Sequence, residues 1–226
     1  MFCPLRFIHQ PLSIYKKYFP QLCRSDQTFE SKEFFDSLEL NQGESYGTMM
    51  RKNGSWTIKN SEKIFENDFF KVVEDDVVSP DGKDQKYATI DFNPGVAVLP
   101  VDDDGFVHMT RQFRYALGRD SLECIAGNVE GEDVLSAAKR EAKEELGIVA
   151  GEWTPVGRVE VLTAISNSHA DLFIARKLTF GEPETEGSEE LEPMKIKLED
   201  AYEKVLAGEI THAESCVLIL KAFALK

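Results

Sequence analysis

The 226-residue sequence has few cysteines and no long apolar run. Its four cysteines, at positions 3, 23, 124 and 216, are widely spaced and form no Cys-x-x-Cys pair. That spacing argues against a zinc site and favours free thiols in a reducing compartment, so we predict a cytoplasmic protein. No apolar stretch approaches the ~18 residues that a membrane-spanning helix needs. We therefore predict no transmembrane segment and no membrane partner.

Basic residues are also scarce. The sequence has 26 Lys and Arg against 40 Asp and Glu, a formal net charge of −14. Proteins that bind nucleic acid without sequence preference present basic surface, so the composition argues against a nucleic-acid partner. The same charge would repel a polyanionic substrate, and a bound cation would be needed to bring phosphate groups in.

Residues 1–60 differ from the rest of the chain. The first 25 residues contain four basic side chains, three prolines and no acidic side chain. Prolines interrupt helices, although residues 29–47 could form one short helix around Phe34, Phe35 and Leu38. We predict that residues 1–60 form a poorly ordered N-terminal extension. A targeting peptide, or coding sequence upstream of a start at Met49 or Met50, stays open as an alternative.

From residue 61 onwards the apolar pattern is regular. It predicts strands at 69–78, 86–92, 95–101, 106–111, 122–126, 152–162, 171–175 and 194–198. It predicts helices before Gly147, at 199–207 and at 212–225. This order indicates an α+β fold in which helices enclose a mixed sheet and a small antiparallel sheet precedes it. We expect the small sheet at residues 61–94 and the main domain at 95–226.

The stretch from Gly127 to Ile148 carries the clearest chemical signal. A glycine-rich turn leads into a helix on which Glu141, Glu144 and Glu145 are spaced i, i+3 and i+4, so their carboxylates share one face. Hard divalent cations take oxygen ligands, and magnesium suits one or two carboxylates together with substrate phosphates. Solvated surface is the competing interpretation of such a glutamate-rich face.

The order of residues in this stretch resembles the signature of the Nudix hydrolases. The resemblance rests on the glycine turn, Glu132, the run Arg-Glu-Ala-Lys-Glu-Glu at 140–145 and Gly147-Ile148. One departure is that four residues separate Gly127 from Glu132, where the family usually has five. Residues 61–226 more narrowly resemble the ADP-ribose pyrophosphatase branch, through Val-Ala-Val-Leu-Pro before Asp-Asp-Asp-Gly, Arg-Gln-Phe-Arg-Tyr at 111–115, Leu-Glu-Cys-Ile-Ala-Gly and the Gly-Glu-Ile at 208.

The resemblance implies an activity. Members of the family cleave nucleoside diphosphates linked to another group, with magnesium or manganese. For this chain it implies hydrolysis of ADP-ribose or a related nucleoside diphosphate sugar to a nucleoside monophosphate and a sugar phosphate. GDP-mannose, ADP-glucose, NADH and a non-catalytic nucleotide-sensing module remain alternatives. Members of the branch commonly dimerise by exchanging the N-terminal sheet, which implies a homodimer.

The resemblance also implies roles for individual residues. The metal ligands would be Glu141, Glu145, Glu144 and the carbonyl of Ala126. Arg140 and Glu132 would support the glycine loop. A glutamate of the acidic loop before the last strand would act as the base, with candidates Glu189, Glu190 and Glu192. The sequence does not choose among them, and Glu144 is a further catalytic candidate.

Substrate contacts are implied in the same way. Arg114, with Arg111 beside it, matches a position that contacts phosphate, and Glu123 matches one near the metal and the ribose. A surface ion pair is the alternative for Arg114. Phe69 and Tyr87 fall where the branch places rings that enclose adenine, although Phe69 could equally belong to the core. The sugar end stays open, because Phe92 and residues 164–169 depart from the family pattern. We expect His169 to be an exposed loop residue, with contact to the ligand as the alternative.

Overall fold

The computed structural model describes residues 50–184 and 190–226. The helix predicted around Phe34 and the candidate base Glu189 lie outside these residues. The strands are β1 (Arg51–Asn53), β2 (Trp56–Glu66), β3 (Phe70–Val78), β4 (Asp84–Phe92), β5 (Gly95–Pro100), β6 (Phe106–Arg114), β7 (Arg119–Glu123), β8 (Ile125–Asn128), β9 (Ile148–Glu160), β10 (His169–Phe180) and β11 (Glu192–Lys197). The helices are α1 (Val134–Leu146), α2 (Leu198–Leu206) and α3 (Ala213–Ala224). In the described part of the chain no helix is long and apolar enough to cross a membrane.

The described residues form two compact units. Of the described residues, one unit contains 50–66 together with Val72–Ala88, and the other contains Asn67–Lys71 and the residues from Thr89 onwards. Strands β1 to β4 form one sheet in sequential order, and β1 pairs antiparallel with β2. The predicted fold class, with a small sheet before a mixed sheet, is confirmed. The predicted division into domains stays a prediction.

Regular structure begins earlier than the sequence pattern indicated. Residues 51–60, assigned to the poorly ordered extension, contain β1 and the first half of β2. The missed signal is Asn53-Gly54, because a glycine with positive φ in a two-residue connection is typical of a tight hairpin. Gly54 has φ +59°, and Asn53 pairs directly with Trp56.

The second unit contains a four-stranded mixed sheet in the order β8-β5-β10-β9. Strand β5 runs parallel to β10 and antiparallel to β8. Both faces of this sheet are covered, which explains the unbroken apolar run of β5. Ala97 and Leu99 pack in a cluster with residues of α2 and α3, whereas Val96 and Val98 pack against α1. The result is a helix–sheet–helix sandwich.

The strand predicted at 122–126 is wrong, because two strands of different sheets occupy this stretch. Strand β7 ends at Glu123 and joins the sheet β11-β6-β7, whereas β8 begins at Ile125 and joins the mixed sheet. The break falls at Cys124, whose buried backbone N–H donates to Ser215 Oγ at 2.8 Å. The chain therefore changes sheets immediately before the glycine turn.

Helix α1 has clear ends. Asp133 caps its N-terminus by accepting from the backbone N–H groups of Leu135 and Ser136. Gly147 ends it in the left-handed conformation, with φ 63°. The helix buries Ala138, Ala142 and other small residues against the mixed sheet. Both caps and the buried face fix the direction in which its glutamates point.

Candidate active site

A cavity of about 580 Å³ opens at the end of the mixed sheet where the glycine turn meets α1. The predicted metal ligands Glu141, Glu144, Glu145 and Ala126 all line it. Its other polar lining residues include Asn93, Asn128, Glu130, Arg140, Ser168, His169 and Glu214. The structure therefore brings the predicted metal-binding residues together around one cavity.

The glycine turn is packed directly against the glutamates of α1. A Cβ atom on Gly127 would lie 2.0 Å from the carboxyl carbon of Glu141, so only glycine leaves room for that side chain. Glu145 Oε1 accepts from the backbone N–H of Ala126 at 3.1 Å. These contacts hold two carboxylates against β8. Coordination by the Ala126 carbonyl stays a prediction.

Arg140 binds the turn to the helix, in agreement with its predicted supporting role. Its guanidinium donates to Glu132 at 2.9 Å, Glu141 at 2.8 Å, Glu144 at 2.9 Å and the carbonyl of Asn128 at 2.9 Å. Burial alone would lower the pKa of Arg140, but its hydrogen bonds and the nearby carboxylate charges outweigh burial and raise it. The shortened loop is thus held at both of its ends.

The charge balance of the cavity suits a divalent cation. Five glutamates line it against one arginine, and that arginine is already hydrogen-bonded to two of them. Within residues 50–184 and 190–226, no three His, Cys, Asp or Glu side chains converge closely enough to hold a metal ion by themselves. Magnesium commonly takes one or two carboxylates and completes its shell with water and substrate oxygens. The predicted ligands offer only oxygen atoms, which fits a magnesium ion shared with a substrate.

Arg114 and Glu123, both predicted to contact substrate, contact each other. Arg114 donates to the two carboxylate oxygens of Glu123 at 3.1 and 2.5 Å. The Glu123 side chain is only 4 % exposed. Burial alone would raise the pKa of Glu123, but the Arg114 hydrogen bond and the charge of His212 outweigh it and lower the pKa. Both residues lie beside the cavity rather than among its described lining residues.

A histidine that the sequence did not indicate joins this pair to the cavity. His212 Nε2 lies 3.0 Å from Glu214 and 3.7 Å from Glu123. Burial alone would lower the pKa of His212, but hydrogen bonds to Cys124 and Glu214 outweigh it and raise the pKa to about 10. His212 is therefore protonated at neutral pH. No spacing rule could have found it, because its partner Glu123 lies in a distant part of the sequence.

A comparison with models of known protein families shows the family to which this chain belongs. Residues 91–214, more than half of the chain, match the model of the NUDIX domain. The chain belongs to the Nudix family. Residues 56–90 of this Nudix protein match a second model, the nucleoside diphosphate sugar hydrolase N-terminal domain.

Relatives of this Nudix chain include proteins named as pyrophosphatases. An ADP-ribose pyrophosphatase of Bacillus subtilis (strain 168) is 32% identical over 161 residues, which cover 70% of this chain and 87% of the relative. An ADP-ribose pyrophosphatase of Mycobacterium tuberculosis is 28% identical over 169 residues, which cover 73% of this chain and 82% of the relative. A solved structure titled "Crystal structure of ADP compounds hydrolase" superimposes with a TM-score of 0.67 at 22% identity, over 76% of this chain and 96% of that one.

The solved structure supports the fold alone, whereas the family match and the Bacillus relative extend to the activity class. The chain is a Nudix pyrophosphohydrolase, and we do not retain the alternative of a non-catalytic module. Its Nudix glutamates, residues of the glycine turn and Arg140 are among the residues that line the cavity described above.

The predicted base candidates of this Nudix enzyme come from the acidic segment before β11 and from the start of that strand, because Glu192 is the first residue of β11. The backbone N–H of Glu184 donates to the Glu144 carbonyl at 3.0 Å, which fixes the start of this segment against α1. Glu192 pairs with Arg111 at 3.2 Å, and Glu190 is exposed. Arg111 thus contacts the first residue of β11. The roles of Glu189, Glu190 and Glu192 stay predictions.

Aromatic side chains border the cavity at one side. Phe69 lines it and is 67% exposed, which argues against the core position considered for it. Phe92 also lines it, and its ring lies 5.4 Å from that of Phe70. Tyr87 belongs to the other compact unit, where its ring packs edge-on against Trp56 at 5.5 Å.

The interpretation of His169 as an exposed loop residue is wrong. His169 begins β10, its side chain is 24 % exposed, and it lines the cavity. Its Nε2 atom lies 4.0 Å from Asp171, beyond hydrogen-bonding distance. The strand was predicted to begin at residue 171, and the earlier start moves His169 from a loop to the sheet edge.

Proposed function

We propose that this Nudix enzyme hydrolyses the diphosphate of ADP-ribose or a related nucleoside diphosphate sugar with the help of magnesium. The products would be a nucleoside monophosphate and a sugar phosphate. The observation that carries the proposal is that three α1 glutamates and the exposed ring of Phe69 line the same cavity. The names of the Bacillus and Mycobacterium relatives support ADP-ribose as the first substrate to test.

The residues of α1 would hold the cation. Glu141 and Glu145 are fixed against β8, and Glu144 lies one turn from Glu141 on the same face. A bound magnesium or manganese ion would polarise the phosphoryl oxygens and lower the pKa of a coordinated water. Arg140 would keep the carboxylates in place, because four acceptors already bind its guanidinium. Hydrolysis of a phosphoanhydride requires mainly such positioning and charge neutralisation.

The remaining substrate contacts follow from the same cavity. The exposed ring of Phe69 would stack on the base. Arg114 would bind a phosphate oxygen, for which its planar fork is suited. A carboxylate of Glu144, Glu189, Glu190 or Glu192 would accept the proton of the attacking water. Tyr87 belongs to the other compact unit, and its contact with the base stays a prediction.

Three further properties belong to this proposal. Magnesium is proposed as the first cation to test and manganese as the second, because both take the oxygen ligands that carboxylates and phosphates supply. A homodimer is proposed from the resemblance to the branch, and sedimentation measurements test it.

A cytoplasmic location agrees with the free thiols of Cys124 and Cys216 in the described part of the chain, and cell fractionation tests it.

A substrate panel tests the proposed specificity. The protein is incubated with magnesium and ADP-ribose, ADP-glucose, GDP-mannose or NADH, and a phosphatase that acts only on monoesters converts the products to inorganic phosphate. We expect ADP-ribose to give the highest kcat/KM. A higher value for GDP-mannose or NADH would replace ADP-ribose as the substrate and keep the reaction. Absence of cleavage across the panel would contradict the proposed substrate class.

A further inference from the structure

Four charged side chains form a continuous path beside the catalytic glutamates. Arg114 Nη2 lies 2.5 Å from Glu123, Glu123 lies 3.7 Å from His212 Nε2, and His212 Nε2 lies 3.0 Å from Glu214. The charges alternate in sign along this path. Glu123 is 4 % exposed, so its charge depends on these neighbours rather than on water.

The ring of His212 is held in place from its other side. Its Nδ1 atom lies 2.9 Å from Ser215 Oγ, and that oxygen also accepts from the buried N–H of Cys124. With Nδ1 fixed by Ser215, Nε2 faces the two carboxylates. His212 is therefore oriented by α3 and by the junction between β7 and β8.

The path reaches the substrate cavity at Glu214, which lines it together with the α1 glutamates. Successive distances of 2.5, 3.7 and 3.0 Å join Arg114 to Glu214, so the guanidinium lies within about 9 Å of the cavity wall. Arg114 is 41 % exposed, whereas its partner Glu123 is not. Of Arg114 and Glu123, only the more exposed Arg114 side chain has space to change its conformation.

We propose that His212 is a positioning residue that allows Arg114 to move from Glu123 to a phosphate of the substrate. If Arg114 turned away alone, the buried carboxylate of Glu123 would lose its compensating charge, which is costly. The imidazolium of His212 stands between Glu123 and Glu214 and supplies the second positive charge. This inference rests on the proposed function, because it takes Arg114 as a phosphate-binding residue.

Substitutions that separate charge from shape test the proposal. We expect His212→Gln to raise the KM for ADP-ribose roughly tenfold, as for the loss of one charge-assisted contact, with kcat little changed. His212→Lys restores the charge and should return KM most of the way to the parent value. Thr211→Val is the matched control, because it removes the exposed contact with Arg119 next to His212 and should leave both constants unchanged.

A double-variant cycle shows whether His212 acts through Arg114. In an Arg114→Met background the KM effect of His212→Gln should disappear, because no guanidinium is left to release. An effect that persists there, a normal KM in His212→Gln, or a His212→Lys protein as impaired as His212→Gln would overturn the proposal. If His212→Gln does not fold, as judged by thermal melting, His212→Asn takes its place.

Calorimetry separates this inference from the proposed function. Adenosine 5′-(α,β-methylene)diphosphate resists cleavage, and its Kd is measured with magnesium for the same variants. A parent that binds this analogue but cleaves no diphosphate sugar would refute the proposed function. The inference would then be decided by Kd alone: a rise of roughly tenfold in His212→Gln supports it, and an unchanged Kd overturns it.

Discussion

At the scale of single residues, the chemistry of this site depends on what each carboxylate touches. Glu141 has room for its carboxylate because Gly127 has no side chain, and Glu145 is fixed by the backbone of Ala126. Glu123 is also a carboxylate, but it is buried and paired with Arg114. Glutamates therefore have two different surroundings here: Glu141 and Glu145 line the cavity, whereas Glu123 forms a buried ion pair with Arg114.

The two aromatic candidates give different expectations at this scale. Phe69 is 67% exposed at the cavity, so Phe69→Ala should raise the KM for ADP-ribose with little change in the melting temperature. Stacking of a base on an aromatic ring contributes ~1–3 kcal/mol in other proteins. Tyr87→Ala is the comparison, and the loss of its contact with Trp56 should lower the melting temperature. A normal KM in Phe69→Ala would exclude stacking on that ring.

The raised pKa of His212 predicts that its contribution to the stability of the fold depends on pH. Its folded-state pKa is raised from 6.5 to about 10, so its stabilising contribution is complete below pH 6.5 and is lost as the pH rises through about 10. The pKa values of Glu123 and Glu214 are lowered, so both partners stay ionised over this range. The measurement is the difference in melting temperature between the parent and His212→Gln from pH 6 to pH 10.

We expect that difference to be largest at the acidic end of the range and to shrink steadily as the pH rises. Thr211→Val serves as the control and should differ from the parent by the same amount at every pH. A His212→Gln difference that is constant with pH would show that the imidazolium charge does not contribute to stability.

At the scale of secondary-structure elements, α1 positions the site because both of its ends are fixed. Gly147 does more than end the helix: a Cβ atom there would lie 2.2 Å from the carbonyl oxygen of Gly181. The backbone N–H of Gly181 in turn donates to the Gly147 carbonyl at 2.8 Å. The end of α1 is therefore packed against the start of the acidic segment that leads to β11.

This packing predicts that two glycines will differ in the stability lost on substitution by alanine. Gly147 and Gly208 both follow a helix, and both have a positive φ. Gly208→Ala has only the backbone strain, about 1 kcal/mol, because nothing lies within 4 Å of its added Cβ atom. Gly147→Ala has the same strain and the overlap with Gly181, so it should lower the free energy of unfolding by roughly 1–3 kcal/mol more. Denaturant unfolding measures both variants, and equal losses would show that the Gly181 contact yields without cost.

The elements could be predicted where the signal is local. The spacing of Glu141 and Glu145 and the stop at Gly147 marked α1 correctly, because helix faces and helix ends depend on neighbours within a few residues. The cap at Asp133 is an equally local signal that the sequence analysis did not use. The hairpin at Gly54 was also local, and attention to Asn53-Gly54 would have found it. The long apolar run of β5 correctly predicted a strand covered on both faces.

The rest depended on contacts between distant parts of the chain. Cys124 ends a strand because Ser215, far along the sequence, accepts its N–H, and no local pattern records that partner. The same limit applies to His212, whose neighbours Glu123 and Glu214 come from two different elements. His169 was misplaced because the apolar pattern of β10 begins only after it.

At the scale of the whole molecule, the negative charge and the acidic cavity require a cation before a diphosphate can bind. The formal charge is −14, and the cavity adds carboxylates where a diphosphate would have to bind. A divalent cation removes this conflict, because it binds carboxylates and phosphates together. The family membership of the chain agrees with such a reaction. The central claim is therefore that the α1 glutamates hold a cation on which turnover depends.

The most direct test of that claim is the kcat of Glu145→Gln with ADP-ribose at saturating magnesium. Glutamine keeps the side chain's size and the acceptor for the Ala126 N–H but removes the charge. Metal polarisation contributes several kcal/mol to the transition state, so kcat should fall on the order of 10³-fold. Glu152→Gln, at an exposed position on β9, is the control and should leave kcat unchanged. Magnesium should also raise the melting temperature of Glu145→Gln less than that of the parent. Near-normal turnover by Glu145→Gln would contradict the claim and leave the α1 glutamates as solvated surface.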